Sequence, residues 1–496
     1  MILITTDDFP QDQPLSTWAR RRNNKRVNSQ SLNSSSHLIV NIIAPVKLLI
    51  SVRLGAGLQR WVRSLPVIFN HQHQHRHQHH TATILLHPTR ETSNICSLTT
   101  TTTTTNSAFR QCLTHNHSKG MRIATLQFAP QLGDVKGNIK RADELLKNGK
   151  VVRGVGTGTV GLDVLKPDIL ILPELALTGY NFPSLEAIKP YLEPAGEGPS
   201  ADWARQTARR LQCKVCVGYP EIYTETATRE GEDSSSQHET YYNSLLVVDE
   251  NGRDILNYRK SFLYYTDETW ASEGSVELGF ENLIFRKGDQ HSRESHIATS
   301  FGICMDINPY KFEAPFTAWE FANRVMDSKS QLVILSMAWL SSLGREELDL
   351  LADEPDLDTF NYWIQRFLPL ITKRMNHEVN LNEDGSDRSQ DIVIVFANRA
   401  GEEPGAAGAN PVHYAGTSTI IAISQRPKTL PVSGATCSVN LSSSKAQTDA
   451  EDDGESQFDV KILCWDMMGA TTEGICFADT AADPSMVFAL AKRSSS

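Results

Sequence analysis

The sequence predicts an α/β fold for the chain that follows residue 120. Segments typical of strands and of helices alternate from Met121 onward, and such alternation is characteristic of α/β proteins. Two alternating segments also flank Asn251-Gly252, a dipeptide that gives the strongest short-range signal for a β-hairpin. We therefore expect a sheet in which antiparallel pairing accompanies the α/β units.

The predicted elements follow one another along the chain. The first strand lies in MRIATLQFAP at 121–130, where apolar residues alternate and then run together. The first helix lies at 137–149, because its apolar residues are three or four positions apart and a glycine ends it. Further strands are predicted at 168–173, 214–220, 241–249, 255–258, 297–304, 331–337 and 391–398. Further helices are predicted at 201–212, about 312–328 and about 357–376, and surface loops at 154–161, 379–390 and 425–458.

Residues 1–120 differ in composition from the rest of the chain. They contain 13 Lys plus Arg and 4 Asp plus Glu, whereas the remaining residues contain 35 and 54. They also carry a histidine-rich tract at 71–80 and seven consecutive threonines at 99–105. Such segments bury too little apolar surface to form a core, so we expect a low-complexity, disordered leader before one folded domain at 121–496. A transit peptide is the alternative, favoured by the basic residues at 20–26 and opposed by three early aspartates.

Composition also limits the partners and the compartment. The longest apolar stretch, at 37–52, is interrupted by Asn41, Pro45 and Lys47, so no membrane span is expected. The acidic body argues against nucleic acid and against an anionic membrane surface as partners. Eight cysteines without framework spacing predict free thiols in a reducing compartment. We expect a cytoplasmic protein, with a nuclear location left open and a mitochondrial one only if the leader acts as a transit peptide.

Three polar residues lie at or just after the ends of predicted apolar strands, namely Glu174, Lys260 and Cys304. Enzymes built on sheets collect catalytic side chains there, because the strand fixes the backbone and the loop exposes the group. Each residue has an ordinary alternative: a helix-capping or loop carboxylate, an edge-strand charge and a small buried hydrophobe. Together they provide a cysteine nucleophile with a base and a cation, without a histidine.

Other motifs predict no metal or cofactor. Cys213 and Cys216 form a C-x-x-C pair on a predicted strand, but no second pair accompanies them. The histidine tract lacks a second ligand cluster. The glycine-rich segment GVGTGTVG at 154–161 lacks the Lys-Ser/Thr ending of a phosphate-binding loop. None of the five histidines after residue 120 follows an apolar strand as a member of a cysteine-histidine pair would.

Four segments resemble the successive motifs of the nitrilase, or carbon-nitrogen hydrolase, superfamily, in their order and spacing. They are PELALTGYNF at 173–182, YRKSFLYYTDETWASEG at 258–274, GICMDINPYKFEAPF at 302–316 and ANRAGEE at 397–403. Together with SMAWLSS at 336–342, the second and third are similar to the branch whose members convert N-terminal Asn and Gln of proteins to Asp and Glu. The resemblance covers about 121–424 and resumes at 469–480.

The resemblance implies a nitrilase-like α-β-β-α sandwich and catalysis through a thioester, with no cofactor. It implies that Glu174 is the general base, that Lys260 stabilises the oxyanion and that Cys304 is the nucleophile. It further implies that Glu268 is the second glutamate, which orients Lys260 and the attacking water, and that the backbone N–H of Met305 is an oxyanion donor.

Recognition of an N-terminal residue requires an acid for the free α-ammonium. Asp306 is the first candidate, with Glu402 and Glu403 behind it, and a structural ion pair is the alternative for each. The aromatic candidates for pocket walls, or for plain core, are Tyr180, Trp270 and Trp339.

The expected substrates are proteins or peptides with a free N-terminal Asn or Gln, whose deamidation feeds N-degron degradation. An ω-amidase or a carbamoylase that acts on a free small molecule is the first alternative. A non-catalytic scaffold with the same fold is the second. The sequence leaves the oligomeric state open.

Overall fold

The computed structural model describes residues 85–88, 120–152, 158–227, 236–286, 294–373, 375, 390–405, 409–427 and 458–491. Most of the predicted leader, with its histidine and threonine tracts, lies outside these ranges. So do nearly all of the predicted loops at 379–390 and 425–458.

The described ranges contain strands in two large sheets and two short hairpins. In chain order the strands are β1 (Leu85–Pro88), β2 (Arg122–Gln127), β3 (Lys150–Val152), β4 (Gly158–Val160), β5 (Ile169–Ile171), β6 (Glu193–Pro194), β7 (Lys214–Ala227), β8 (Ser236–Val248), β9 (Asp254–Arg259), β10 (Phe280–Phe285), β11 (Ser295–Ile303), β12 (Leu332–Met337), β13 (Gln390–Asn398), β14 (Glu402–Glu403), β15 (Val412–His413), β16 (Thr419–Pro427), β17 (Phe458–Met467), β18 (Gly474–Asp479) and β19 (Met486–Ala491).

The helices of the same ranges are α1 (Val135–Asn148), α2 (Leu162–Leu165), α3 (Leu185–Ile188), α4 (Pro199–Leu211), α5 (Glu320–Asp327), α6 (Arg345–Leu351), α7 (Leu357–Arg366) and α8 (Leu368–Thr372). Single 3₁₀ turns lie at Lys189–Tyr191, Asp267–Thr269, Val276–Leu278, Cys304–Ile307, Tyr310–Phe312 and Phe316–Ala318. Among the helices described, none combines the length and the apolar character that crossing a bilayer requires.

Each large sheet mixes parallel and antiparallel pairs, as the sequence predicts. One sheet has the order β18-β2-β5-β7-β8-β9, with β6 paired to β7, and the other has the order β1-β19-β17-β16-β13-β12-β11-β10. The parallel neighbours are β2, β5 and β7 in the first sheet and β11, β12 and β13 in the second. The predicted hairpin is confirmed, since β8 and β9 pair antiparallel and Gly252 has the positive φ, 74°, that its turn requires.

The layers follow from alternation along the strands of the first sheet. Ile169 and Ile171 of β5 belong to a core cluster that also contains residues of the second sheet and of α5, α7 and α8. Leu170 and Leu172 point the other way and pack with residues of α1 and α4. Each sheet is therefore covered by helices on one face and by the other sheet on the opposite face. This arrangement is the α-β-β-α sandwich that the resemblance implies.

Three local predictions are wrong in part. The predicted helix at about 312–328 forms only as α5, because its first half contains Pro315 and residues with positive φ, which break a helix into single turns. The predicted helix at about 357–376 divides into α7 and α8, since Pro369 lacks the N–H that would continue α7. The glycine-rich segment predicted as a loop contributes β4, which pairs with β3.

One short stretch of the predicted leader forms regular secondary structure. Leu85–Pro88 form β1, which pairs antiparallel with β19 at the edge of the second sheet.

The two sheets meet at the carboxyl ends of β5 and β12. The hydroxyl of Ser336 donates to the carbonyl of Leu172 at 2.9 Å, and the amide of Glu174 donates to the carbonyl of Met337 at 3.4 Å. The chain segments that leave β5, β9, β11 and β12 therefore converge at this end of the sandwich, which positions the candidate site.

Candidate active site

The structure brings together the three residues that the sequence singles out at strand ends. Lys260 Nζ lies 2.5 Å from Glu174 Oε1, and both side chains are completely buried. Cys304 interacts electrostatically with both of them. A thiol, a carboxylate and an ammonium therefore share one small region, although they come from three separate segments of the chain.

Cys304 has an unusual backbone conformation at the point where β11 ends. Its φ is +42° and it opens a 3₁₀ turn. A positive φ is strained for a residue other than glycine, and such strain is concentrated at functional sites. Of the five cysteines in the described part of the chain, Cys304 is 8% exposed and the other four are 0% exposed. It is thus the least buried of the described cysteines.

The carboxylate of Glu174 is held by three donors. Lys260 and the side-chain amide of Asn243, at 2.7 Å, donate to Oε1, and the amide of Ala338, at 2.8 Å, donates to Oε2. Burial raises the pKa of Glu174, and this effect outweighs the opposing attraction of Lys260. Glu174 is therefore a stronger base than a carboxylate in water.

Lys260 lies between two carboxylates. Its ammonium donates to Glu174 and, at 2.5 Å, to Asp267 Oδ2. Burial alone would lower the pKa of Lys260, but Asp267 and Glu174 outweigh burial and raise it. The side chain consequently carries a fixed positive charge next to the thiol.

The thiol itself is a weak acid at rest. Burial raises the pKa of Cys304 well above its ordinary value, and the charge of Glu174 raises it further, while Lys260 acts in the opposite direction. Cys304 therefore requires a base to take its proton, and Glu174 supplies that base.

The second acid that contacts Lys260 is Asp267. The prediction that Glu268 takes this place is wrong. Asp267 is completely buried and accepts hydrogen bonds from Lys260, from Asn243 at 3.0 Å and from the amide of Tyr264 at 3.0 Å. Glu268, the next residue of the same 3₁₀ turn, is exposed. A count of residues from Lys260 cannot tell which of two adjacent acids a turn directs inward.

Asn243 is a site residue that the sequence analysis missed. Its amide donates to both Glu174 and Asp267, and it is completely buried on β8. A signal for it exists in the sequence, because asparagine is disfavoured in the interior of a strand.

Asp306 holds the backbone around the site instead of facing a ligand. Oδ1 accepts from the amides of Ser261, at 3.0 Å, and Phe262, at 2.8 Å. Oδ2 accepts from the amide of Ile303, at 2.7 Å, and the hydroxyl of Tyr258, at 2.8 Å. With four donors and no exposed surface, its carboxylate has no room for an ammonium. The prediction that Asp306 binds the substrate ammonium is therefore wrong. Asp306 instead connects the segment after Lys260 to the turn that carries Cys304.

Of the two reserve candidates for the ammonium, Glu403 has a structural role. Glu403 is buried, accepts from the amides of Tyr180 and Asn181, and pairs with Arg399 and the hydroxyl of Tyr414. It thereby fixes the loop that follows Glu174. Glu402 is exposed, forms an ion pair with Arg345 at 3.2 Å and lies 3.4 Å from Nδ1 of His413, so it stays a candidate.

The three aromatic candidates occupy different surroundings. The hydroxyl of Tyr180 lies 3.3 Å from Asp267 Oδ2, and its ring centre lies 5.5 Å from Lys260 Nζ, so it lines the ion cluster. Trp270 belongs to the buried hydrophobic cluster around Tyr180. Trp339 is half-buried, directly follows Ala338 and packs on Tyr362 and Trp363. Trp339 therefore stays a candidate for the pocket wall.

The C-x-x-C pair cannot act as a unit. Cys216 lies in the cluster between the sheets and Cys213 in the cluster beneath α1 and α4, on the other side of the first sheet.

Comparison with known proteins places the chain in a family. Residues 122–308 match the carbon-nitrogen hydrolase family. The protein N-terminal amidase of Saccharomyces cerevisiae is 31% identical over 314 residues, which cover 51% of this chain and 64% of that protein. The protein N-terminal amidase of Schizosaccharomyces pombe is 31% identical over 320 residues, which cover 62% of this chain and 92% of that protein. A crystal structure of N-terminal amidase with an Asn-Glu-Ala peptide is 23% identical, with a TM-score of 0.49, and is matched over 75% of this chain and 99% of that one.

The motifs around Glu174, Lys260 and Cys304 fall within the part of the chain that matches the family. With this identity over nearly the full length of the Schizosaccharomyces pombe protein, the chain belongs to the protein N-terminal amidases of the carbon-nitrogen hydrolase family.

Proposed function

We propose that this protein hydrolyses the side-chain amide of an N-terminal Asn or Gln in proteins and peptides, leaving Asp or Glu and releasing ammonia. The observation that carries the proposal is the strained Cys304 next to a buried ion pair of Glu174 and Lys260. Similarity to two relatives named protein N-terminal amidase supports an N-terminal amide as the substrate. The new acidic N-terminus would serve as an N-degron.

Acylation begins with the transfer of the Cys304 proton to Glu174. The sulfur attacks the carbon of the side-chain amide, and the carbonyl oxygen becomes an oxyanion. Lys260 and the backbone N–H of Met305, which follows the nucleophile in its turn, stabilise that charge. The carbon-nitrogen bond then breaks, the nitrogen takes the proton from Glu174 and ammonia leaves, so that a thioester on Cys304 stays behind.

Deacylation uses the same carboxylate a second time. Glu174, again ionised, takes a proton from water as its oxygen attacks the thioester carbon. The second tetrahedral intermediate carries its charge at the same place, next to Lys260. Its collapse breaks the carbon-sulfur bond, releases the product carboxylic acid and returns the proton to Cys304. Atoms balance as one amide and one water giving one carboxylic acid and one ammonia.

The buried cluster argues against a non-catalytic scaffold. Burying two carboxylates and an ammonium costs several kcal/mol per ion, and only good geometry and further hydrogen bonds offset that cost. A scaffold would gain stability by replacing them with apolar residues.

The substrate class is tested by comparing peptides with a free N-terminal Asn or Gln, the same peptides after N-terminal acetylation, and small free amides. Ammonia release confined to the free peptides supports the proposal. Equal rates on acetylated peptides, or activity on small amides alone, would replace it with an amidase for free small molecules.

The first prediction concerns the nucleophile. Cys304→Ala should reduce ammonia release to the background of the assay, because the other described thiols are 0% exposed and cannot replace the nucleophile. Its melting temperature should stay close to that of the wild type, since the change removes one small side chain. Cys213→Ala, a change at a buried thiol on the far side of the first sheet, is the matched control and should keep full activity. Ammonia release at the wild-type rate by Cys304→Ala would refute the mechanism.

The second prediction concerns Asp306. Asp306→Asn replaces an oxygen that accepts two hydrogen bonds with a donor, so buried amide donors lose their partner. The free energy of unfolding should fall by about 3 kcal/mol. Activity should fall by the same factor on Asn and Gln peptides, with the preference for a free N-terminus unchanged. Asp163→Asn, at an exposed ion pair, should change stability by less than about 0.5 kcal/mol. A selective loss of that preference would restore Asp306 to substrate binding.

The third prediction concerns pH. Glu174 must be ionised to accept the thiol proton, and burial raises its pKa above the ordinary 4.5. Activity should therefore be lost as pH falls through the raised pKa, well before an ordinary glutamate is protonated. A profile of kcat/KM against pH measures this acidic limb, which belongs to the cluster as a unit. Undiminished kcat/KM down to pH 4.5 would exclude Glu174 as the base.

A further inference from the structure

Asn243 joins the two acids of the site through a single amide group. Its Nδ2 lies 2.7 Å from Glu174 Oε1 and 3.0 Å from Asp267 Oδ1. Its backbone carbonyl accepts from the amide of Lys260 at 2.8 Å. The side-chain amide of this buried residue hydrogen-bonds to the two acids, so its effect on the reaction passes through them.

An asparagine at this position lowers the stability of the fold. Its Oδ1 is buried without a hydrogen-bond partner among the described residues, and an unsatisfied buried carbonyl costs about 1 to 3 kcal/mol. Native proteins keep few such groups, and each calls for an explanation. We therefore infer that the function of this side chain lies in its N–H₂ group, which donates to the two acids.

The charges of the cluster explain what the amide does. Glu174 and Asp267 carry two negative charges, and Lys260 carries one positive charge. The surplus of negative charge favours the uptake of a proton, and Asp267 indeed raises the pKa of Glu174, after burial and against Lys260. The amide of Asn243 donates to both carboxylates, and its hydrogen bond to Glu174 favours the ionised form of that acid.

We propose that Asn243 is a positioning residue that bridges Glu174 and Asp267 beside Lys260 and keeps Glu174 ionised, so that Glu174 is available as the base. The inference rests on the proposed function, because it names how the base of that reaction is prepared. It concerns a residue whose side-chain amide hydrogen-bonds to the two acids.

The test follows the reactivity of Cys304 directly and requires no substrate. The wild type and its variants are treated with iodoacetamide across a series of pH values, and mass spectrometry of the Cys304 peptide gives the alkylation rate. Asn243→Leu removes the amide with little change of shape. It should move the pH at which Cys304 becomes reactive upward by about one unit, the equivalent of one hydrogen bond. Asn243→Asp adds a third acid and should move it in the same direction.

Asn138→Leu is the matched control. Asn138 is also buried and hydrogen-bonded, to the backbone of Gln131 and Leu177, but has no contact with the cluster. This variant should lose stability and keep the wild-type pH dependence. If Asn243→Leu fails to fold, Asn243→Asp, which matches asparagine in shape, decides the question.

The inference is overturned if the folded Asn243 variants become reactive at the same pH as the wild type, or if their alkylation is slower by one constant factor at every pH. That constant factor would indicate a merely structural role. Absence of ammonia release from wild-type protein and peptides would refute the proposed function instead, and would leave the alkylation profiles to decide the role of Asn243.

Discussion

The ion cluster around Lys260 is the constraint on which the site depends. Three charged groups are completely buried, and each must find its partners inside the protein, since a buried unpaired charge costs several kcal/mol. Glu174 lies in the segment after β5, Lys260 directly follows β9, and Asp267 begins a 3₁₀ turn. The same burial prepares the chemistry, because it raises the pKa of Glu174 while the two acids keep Lys260 charged.

A second pair of buried acids holds the loops that the cluster requires. Asp306 collects amides from the segment after Lys260 and from the turn of Cys304, and Glu403 collects amides from the loop after Glu174. Both carboxylates are occupied by hydrogen bonds within the protein and are not available to bind a ligand. The residue type does not distinguish these acids, yet two serve proton and charge chemistry and two serve backbone hydrogen bonds. Only the direction of each side chain separates the two roles.

The layers and the main residues of the site could be predicted from the sequence because they depend on patterns. Apolar runs mark the strands, and a strand end fixes where Glu174 and Cys304 lie. The rest depends on geometry that spacing does not encode: Asp267 and Glu268 are neighbours in the sequence, and a turn buries only one of them. The helix predicted at about 312–328 failed for a related reason, since apolar spacing persists there while Pro315 and positive φ values break the helix.

The most direct test of this account is Lys260→Met, with the free energy of unfolding and the release of ammonia measured together. We expect the free energy of unfolding to fall by about 3 to 5 kcal/mol, since two buried carboxylates lose their counter-ion, and we expect turnover to be lost. Lys214→Met, at a buried lysine that pairs with the partly exposed Glu250, should lose much less stability and keep its activity. A Lys260→Met protein with wild-type stability and turnover would contradict the claim that this cluster organises the site.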